Sequence, residues 1–217
     1  MSEGRINGPH QGQGVLYRGA AADDARGAMI LVHGRGADAH DLLPLARLFG
    51  EATLRYAALQ AAGNTWYPHS FLAPIEANEP GISSGIQAIA DVVAALEGEG
   101  IAAERILLLG FSQGACLSLE FAARHPRRYG GVAGLSGGLI GPQGTPRNYA
   151  GSLEGTPVFL GCSNVDPHIP EERVGETADV LSHMGGLVDK RIYPGMGHTI
   201  IDDEIAAVRT MVDGMTG

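Results

Sequence analysis

Cysteine is scarce in this sequence, with only Cys116 and Cys162 among 217 residues. Two cysteines are too few for a disulfide framework, which excludes a small secreted fold held together by disulfides. Cys116 lies within an apolar helical pattern and Cys162 follows a strand-like run. Because free cysteine is among the most buried residue types, we expect both to be reduced residues of the core.

The sequence also has few positively charged residues. Fifteen Lys and Arg stand against 24 Asp and Glu, for a formal net charge of -9, and the basic residues are scattered along the chain. Nucleic acids and anionic membrane surfaces are polyanions, so this charge balance argues against either as the main partner.

Long apolar runs are absent as well, since none approaches the ~20 residues that span a bilayer. Residues 1–14 are polar and rich in glycine, without the apolar core of a signal peptide. We therefore expect a cytoplasmic protein without integral membrane association. Its length fits a polar N-terminal segment, 1–14, followed by a single domain, 15–217.

What the chain does have is a regular alternation of β-type runs and helical patterns. The predicted strands are 15–18, 28–33, 54–59, 106–109, 131–135, 157–160 and 188–193. Helical patterns cover 39–49, 82–96, the segment after 114, 171–184 and 201–212. Such alternation predicts an α/β fold with a mostly parallel sheet covered by helices on both faces. In such sheets, functional groups collect at the carboxyl ends of the strands.

The run G-F-S-Q-G at 110–114 directly follows the most hydrophobic of these strands and precedes a helix. This is the G-x-S-x-G turn in the context that a nucleophilic serine requires. Glycines flank the serine because side chains there would collide with neighbouring backbone. We predict that Ser112 is the nucleophile.

The run H-G-R-G at 33–36 ends an earlier strand, where this type of fold places its second oxyanion donor. We predict that the backbone N–H groups of Arg35 and Gln113 bind the developing oxyanion. His33 is expected to brace the loop. The side chain of Arg35 either contacts an acidic group of the substrate or lies in solvent.

The general base should follow the last strand, because Ser, then Asp or Glu, then His is the chain order of α/β-hydrolases. Only His198 lies there, in the run Y-P-G-M-G-H at 193–198. The acid should follow the preceding strand, and Asp166 meets that condition. Asp202 and Asp203 follow the histidine, and we expect them to cap the last helix.

A metal-dependent mechanism is the competing explanation for a histidine-containing site. The sequence has no H-E-x-x-H motif and no Cys/His cluster with metal-ligand spacing. We expect neither a metal nor a cofactor.

With these motifs in place, the chain resembles the bacterial phospholipase/carboxylesterase family, which includes acyl-protein thioesterases and small carboxylesterases. The resemblance rests on H-G-R-G-A-D at 33–38, G-F-S-Q-G at 110–114, D-P-H-I-P at 166–170 and G-M-G-H at 195–198. It implies an α/β-hydrolase fold without a large cap domain. It also implies a serine hydrolase that cleaves carboxylic esters or thioesters through an acyl-enzyme.

Two features depart from the thioesterases of that family. The segment 63–72 resembles the family's substrate-side loop but has no long apolar stretch. Arg35 stands where the thioesterases usually have an apolar residue. Both favour a small or polar substrate. The residues expected to contact it are Trp66, Tyr67, Phe71 and His168, although the first three are alternatively packing anchors of the loop.

The leading hypothesis is a serine carboxylesterase acting on small, soluble esters. The alternatives are a lysophospholipase or acyl-protein thioesterase, and a non-catalytic relative that binds a ligand. The expected partner is a small-molecule ester, and a homodimer is possible.

Overall fold

The computed structural model describes residues 8–217. Residues 1–7, half of the predicted N-terminal segment 1–14, lie outside the described residues. The other half of that segment runs directly into the first strand.

Seven strands of the described chain form one sheet. They are β1 (Val15–Gly19), β2 (Gly27–Val32), β3 (Leu54–Leu59), β4 (Ile106–Phe111), β5 (Gly131–Leu135), β6 (Pro157–Ser163) and β7 (Leu187–Tyr193). Their order across the sheet is β1-β3-β2-β4-β5-β6-β7. All neighbours are parallel except β1, which is antiparallel to β3. The prediction of a mostly parallel sheet is confirmed.

Helices cover both faces of this sheet, as predicted. They are α1 (Ala39–Leu42), α2 (Ala46–Phe49), α3 (Gly81–Gly98), α4 (Gln113–Arg124), α5 (Glu171–His183) and α6 (Asp202–Thr216). Successive side chains of a strand point to opposite faces. Ile30 of β2 therefore packs in a core with α3, α4 and α5, whereas its neighbour Met29 packs with α1, α2 and α6.

The parallel strands bring two predicted motifs together at one edge of the sheet. β2 and β4 are neighbours, and Val32 at the end of β2 pairs with Gly110. The loop that begins at His33 and the turn that carries Ser112 therefore leave the sheet side by side.

Most boundaries shift by only a few residues, and two of the differences have a clear physical reason. The helix predicted over 39–49 is divided into α1 and α2 by a 3-10 turn, Leu43–Leu45. Pro44 lies in that turn, and proline lacks the N–H that a continuous helix needs. β6 continues to Ser163, because its last residues still pair with β7 up to Tyr193.

None of the helices within residues 8–217 is both long enough and apolar enough to cross a membrane.

Candidate active site

Ser112 lies on a sharp turn between β4 and α4. Its backbone has φ 54° and ψ -118°, a conformation that non-glycine residues rarely adopt. Its N–H donates to the carbonyl of Leu135 at 2.9 Å, and its carbonyl accepts from the N–H of Cys116 at 3.1 Å. The turn is therefore held by β5 on one side and by the first turn of α4 on the other.

The glycines on either side of Ser112 are required by close backbone contacts. A Cβ atom at Gly110 would collide with the carbonyl group of Gly114, and one at Gly114 would collide with the carbonyl of Val32. These contacts give the physical reason for the G-x-S-x-G pattern: β2, β4 and α4 meet too closely here for side chains.

Ser112, His198 and Asp166 are brought together in one chain of hydrogen bonds. The Oγ atom of Ser112 lies 2.8 Å from Nε2 of His198, and Nδ1 of His198 lies 2.7 Å from Oδ2 of Asp166. The three residues come from the ends of β4, β7 and β6. The side chain of Asp166 is completely buried, whereas that of His198 is 19% exposed.

The surroundings of Asp166 favour its ionised form. Burial alone would raise the pKa of this carboxyl group, but hydrogen bonds from His198 and from the N–H groups of His168 and Ile169 outweigh burial. The two backbone donors lie 2.8 and 3.0 Å from Oδ1. The pKa of Asp166 therefore lies below its usual value. Besides these three hydrogen bonds, the carboxylate accepts a weak one from the thiol of Cys162, whose sulfur lies 3.9 Å from Oδ2.

Aromatic rings orient His198 from two sides. The ring of Phe111 lies 5.0 Å from it between centroids, and the exposed ring of His168 lies at 5.0 Å in an edge-on arrangement. His168 thus stands beside the imidazole at the entrance of the site.

The backbone N–H groups of Arg35 and Gln113 lie in the two segments that flank Ser112. A Cβ atom at Gly34 would lie 3.4 Å from Cβ of Ser112, so the His33 loop is in van der Waals contact with the turn. Gln113 is the first residue of α4, where an N–H has no partner inside the helix. Neither N–H meets a hydrogen-bond acceptor within residues 8–217.

The side chain of Gln113 has a structural task that the sequence did not reveal. Its Oε1 accepts from the N–H of Trp66 and its Nε2 donates to the carbonyl of Tyr67, both at 2.8 Å. The residue after the nucleophile therefore fastens the 63–72 loop over the site.

The side chain of Arg35 makes contacts that neither sequence alternative included. The guanidinium group donates to Oγ1 of Thr65 at 3.1 Å, to the carbonyl of Pro68 at 2.9 Å and to that of His69 at 2.5 Å. It is exposed, but it binds the 63–72 loop from the solvent side.

The expectation that Trp66 contacts substrate is wrong. Its side chain is completely buried, and it does not line the cleft. Its Nε1 donates to the carbonyl of His33 at 2.8 Å, and its ring packs against those of His10 and His33. Trp66 is a packing anchor, the alternative that the sequence left open.

His33 braces this region as a neutral imidazole, and so does His10, which the sequence did not single out. The N–H of Ala61 donates to Nε2 of His33, so Nδ1 of that ring carries the proton and donates to the carbonyl of Gly34. The N–H of Ala62 similarly donates to Nδ1 of His10. Burial lowers the pKa of both histidines.

A cleft of about 670 Å³ opens beside Ser112. Tyr67, Phe71 and His168 lie on its wall, as do Arg35 and Cys116. A second groove, of about 730 Å³, lies between α5 and residues 147–151 and includes none of the predicted site residues. Within the described chain, no three His, Cys, Asp or Glu side chains converge as ligands of a metal ion.

Comparison with known proteins agrees with this architecture. Residues 19–215 match the model of the phospholipase/carboxylesterase family. The crystal structure of a phospholipase/carboxylesterase from Dyadobacter fermentans DSM 18053 has a TM-score of 0.88 and 40% sequence identity. That similarity covers 92% of this chain and 96% of the other.

Curated relatives align over shorter stretches. An acyl-protein thioesterase 1 from Gibberella zeae is 34% identical over 119 residues, which is 52% of this chain and 49% of the relative. A probable carboxylesterase from Oryza sativa subsp. japonica is 26% identical over 89% of this chain and 79% of its own length. The chain spans about half the length of the first curated relatives that it matches.

The match over residues 19–215, together with the close structural similarity, identifies the fold as an α/β-hydrolase, and the chain belongs to the phospholipase/carboxylesterase family.

Proposed function

We propose that this chain is a serine carboxylesterase that hydrolyses small, soluble esters through an acyl-enzyme. The observation that carries the proposal is the continuous chain of hydrogen bonds from Ser112 through His198 to Asp166, at 2.8 and 2.7 Å. A serine, a histidine and a buried carboxylate in this arrangement are the parts that acyl transfer requires.

In the proposed reaction, Oγ of Ser112 attacks the ester carbonyl while Nε2 of His198 takes its proton. The imidazolium that forms is stabilised by Asp166, whose carboxylate remains ionised. His198 then returns the proton to the leaving alcohol, which departs as the acyl-enzyme forms. Water, activated by the same imidazole, attacks the acyl-enzyme and releases the acid.

The N–H groups of Arg35 and Gln113 are the proposed oxyanion donors. Both flank Ser112 and neither has an acceptor in the described chain. Losing one such donor typically costs about 3 kcal/mol of transition-state stabilisation. Because both donors are backbone groups, side-chain substitutions at these positions leave them in place.

A small substrate is supported by the side chains that line the cleft. Its wall carries polar side chains, including Arg35, His69 and His168, beside the rings of Phe71 and Phe111. A long lipid chain needs a continuous apolar channel, and these polar groups would interrupt it.

The proposal is tested with p-nitrophenyl acetate, butyrate and palmitate. We expect acetate and butyrate to be hydrolysed with much higher kcat/KM than palmitate. Ser112→Ala should lower kcat by at least about 10⁴-fold. Ser83→Ala is the matched control, because Ser83 lies on α3 outside the cleft and its hydroxyl donates to the carboxylate of Glu79.

Labelling by a fluorophosphonate separates a hydrolase from a non-catalytic relative. Intact mass should show one adduct on the wild-type protein and on Ser83→Ala, and none on Ser112→Ala. A folded wild-type protein that fails to label would refute the proposed nucleophile.

A second candidate function is thioester hydrolysis, since relatives named acyl-protein thioesterase 1 align with this chain. The same nucleophile and oxyanion donors would serve it. A kcat/KM for palmitoyl thioesters above that for short esters would favour this candidate, as would turnover of lysophospholipid micelles for a lysophospholipase.

A further inference from the structure

The cleft beside Ser112 exposes a positive charge in a protein that is negative overall. The chain has a formal net charge of -9. Among the described residues that line the cleft, only Asp166 carries a carboxyl group, and its side chain is completely buried and bonded to His198. Arg35 lines the same cleft and is exposed. Because a guanidinium group keeps its proton at any pH that proteins tolerate, a substrate entering the cleft meets a cation and no exposed carboxylate.

The charge of Arg35 is not compensated by an ion pair. Its guanidinium group donates three hydrogen bonds, all to uncharged acceptors: the hydroxyl of Thr65 and the carbonyls of Pro68 and His69. No carboxylate within residues 8–217 pairs with it. A guanidinium group has five N–H donors. Three hold the 63–72 loop, so two donors and the whole positive charge remain for a ligand.

The acidic residues nearest to Arg35 along the chain cap a helix outside the cleft. Oδ1 of Asp38 accepts from the N–H of His40 at 2.7 Å, and Oδ2 of Asp41 accepts from the N–H of Asp38 at 2.8 Å. Neither carboxylate lines the cleft. Their negative charges are therefore engaged at the start of α1, and Arg35 is the charged group that the cleft itself presents.

This charge lies close to the proposed reacting centre. Nη1 of Arg35 is 3.1 Å from Oγ1 of Thr65, and that hydroxyl is 3.3 Å from Oε1 of Gln113, the residue that follows Ser112. Attraction between charges does not require contact, since salt screens it only over about 8–10 Å at ionic strengths of 0.1–0.15 M. Arg35 can therefore attract an anionic group on either side of the ester bond.

Two exposed imidazole rings add hydrogen-bond donors to the same wall. His69 and His168 both line the cleft. Their backbone N–H groups donate to the side chains of Asn78 and Asp166, but their ring nitrogens form no hydrogen bond within the part of the chain that the structure describes. Even a neutral imidazole carries one N–H donor. An anionic group in the cleft therefore finds available donors beside the charge of Arg35.

We propose that the protein selects esters that carry a carboxylate, and that Arg35 is the specificity-determining residue whose positive charge attracts this group. The substrate class is then a monoester of a dicarboxylic acid, if the charge lies in the acyl part, or an ester of a hydroxy acid, if it lies in the alcohol part. This inference rests on the proposed esterase function and adds the charge of the substrate.

The test uses two pairs of esters in which a carboxylate is exchanged for a carboxamide of the same shape. The acyl pair is p-nitrophenyl 5-carboxypentanoate and p-nitrophenyl 5-carbamoylpentanoate, and the alcohol pair is 3-carboxyphenyl butanoate and 3-carbamoylphenyl butanoate. Each kcat/KM is divided by the ester's rate with imidazole, a neutral nucleophile, to remove differences in intrinsic reactivity. In at least one pair we expect the wild-type protein to prefer the carboxylate by about fivefold at low ionic strength, the order of one solvent-accessible ion pair. The preference should approach unity in about 0.5 M NaCl.

Three variants separate the charge of Arg35 from its role in holding the loop. Arg35→Gln should abolish the preference. Arg35→Lys should retain most of it, because lysine keeps the charge but loses the planar fork that binds the loop. A looser loop would slow both esters of a pair and leave their ratio unchanged. Arg47→Gln is the matched control, since Arg47 is exposed on α2, outside the cleft, and also forms no ion pair within residues 8–217. It changes the net charge equally and should retain the preference.

Three outcomes overturn the inference. They are equal normalised rates of the wild-type protein within both pairs, a preference that survives Arg35→Gln, and a preference that Arg35→Lys loses as completely as Arg35→Gln. The first needs no variant and so does not depend on how a variant folds. Turnover of the carboxamides without a preference for the carboxylates would leave the proposed esterase function standing, whereas failure to hydrolyse any of the four esters would overturn that function.

Discussion

The buried carboxyl group of Glu204 lies against the backbone of Gly161. A Cβ atom at Gly161 would overlap Oε1 of Glu204, while Oε2 accepts from the N–H of Ile201 at 3.0 Å. Gly161 belongs to β6, which leads to Asp166, and Ile201 ends the loop that carries His198. One completely buried carboxyl group therefore lies between the two segments that hold the proposed acid and base.

Glu204 makes stability depend on pH. Burial raises its pKa to about 7 in the folded protein, whereas an unfolded glutamate titrates near pH ~4.3. The unfolded chain loses this proton first as pH rises. The free energy of unfolding should therefore fall between about pH 4.5 and 7, by up to about 3 kcal/mol from this group. Glu204→Gln should remove that part of the slope.

Urea unfolding at pH 5 and pH 8 measures this effect. The variant should gain about 3 kcal/mol relative to the wild-type protein between the two pH values. Glu172→Gln, at an exposed position of α5, is the control and should show the wild-type slope. Parallel pH profiles for wild type and Glu204→Gln would contradict the argument.

Asp166→Asn should lower kcat by about 10⁴-fold, with a smaller effect on KM. An amide at this position no longer holds the His198 tautomer or stabilises the imidazolium. Steady-state kinetics with p-nitrophenyl butyrate provides the measurement, and Asp213→Asn on the exposed side of α6 is the control. Retention of more than a tenth of wild-type kcat would rule out Asp166 as the orienting acid.

The same substitution should alter acid stability. Because the folded pKa of Asp166 is depressed, its stabilisation is present above about pH 4 and is lost as pH falls through the folded value. The stability difference between wild type and Asp166→Asn should therefore shrink as pH falls below about 4. A difference that is constant down to pH 2 would be inconsistent with this assignment.

Gln113→Ala should destabilise the protein by about 2 kcal/mol. It leaves the Trp66 N–H without a partner and removes one of the two donors to the Tyr67 carbonyl, the other being the Thr65 hydroxyl. Gln113→Glu keeps an acceptor for the Trp66 N–H and should therefore lose less stability. Denaturant unfolding tests the order, with Gln87→Ala on α3 as the control. If Gln113→Ala and Gln113→Glu lower the free energy of unfolding equally, the loss of stability does not come from these hydrogen bonds.

Arg35→Ala should loosen the 63–72 loop without unfolding the domain. The three hydrogen bonds of its guanidinium group are exposed, so we expect about 1 kcal/mol of lost stability. Hydrogen exchange of peptides covering 65–69 should become faster. The exchange rate in Arg35→Lys should lie between those of the wild-type protein and Arg35→Ala, because an ammonium group lacks the planar fork that reaches three acceptors. Unchanged exchange in Arg35→Ala would refute the role of this side chain in holding the loop.

Most of the fold could be predicted because its signals are local. Alternation of apolar runs placed each strand within a few residues, and the missing N–H of Pro44 explains the one helix that is divided. The predicted β6 was too short. Its last residues are held in the strand by pairing with β7, and this pairing cannot be inferred from the composition of β6 alone.

The sequence by itself determined which residues meet at the sheet edge. The turn at Ser112 is marked by glycines at positions where any side chain would collide with backbone, and chain order selects His198 and Asp166. The tertiary structure decided what surrounds them. Trp66 packs against the rings of His10 and His33. Gln113 binds Tyr67 and Trp66, which lie 46 and 47 residues away in sequence. Such roles depend on contacts between distant segments, which exist only once the strands have set those segments side by side.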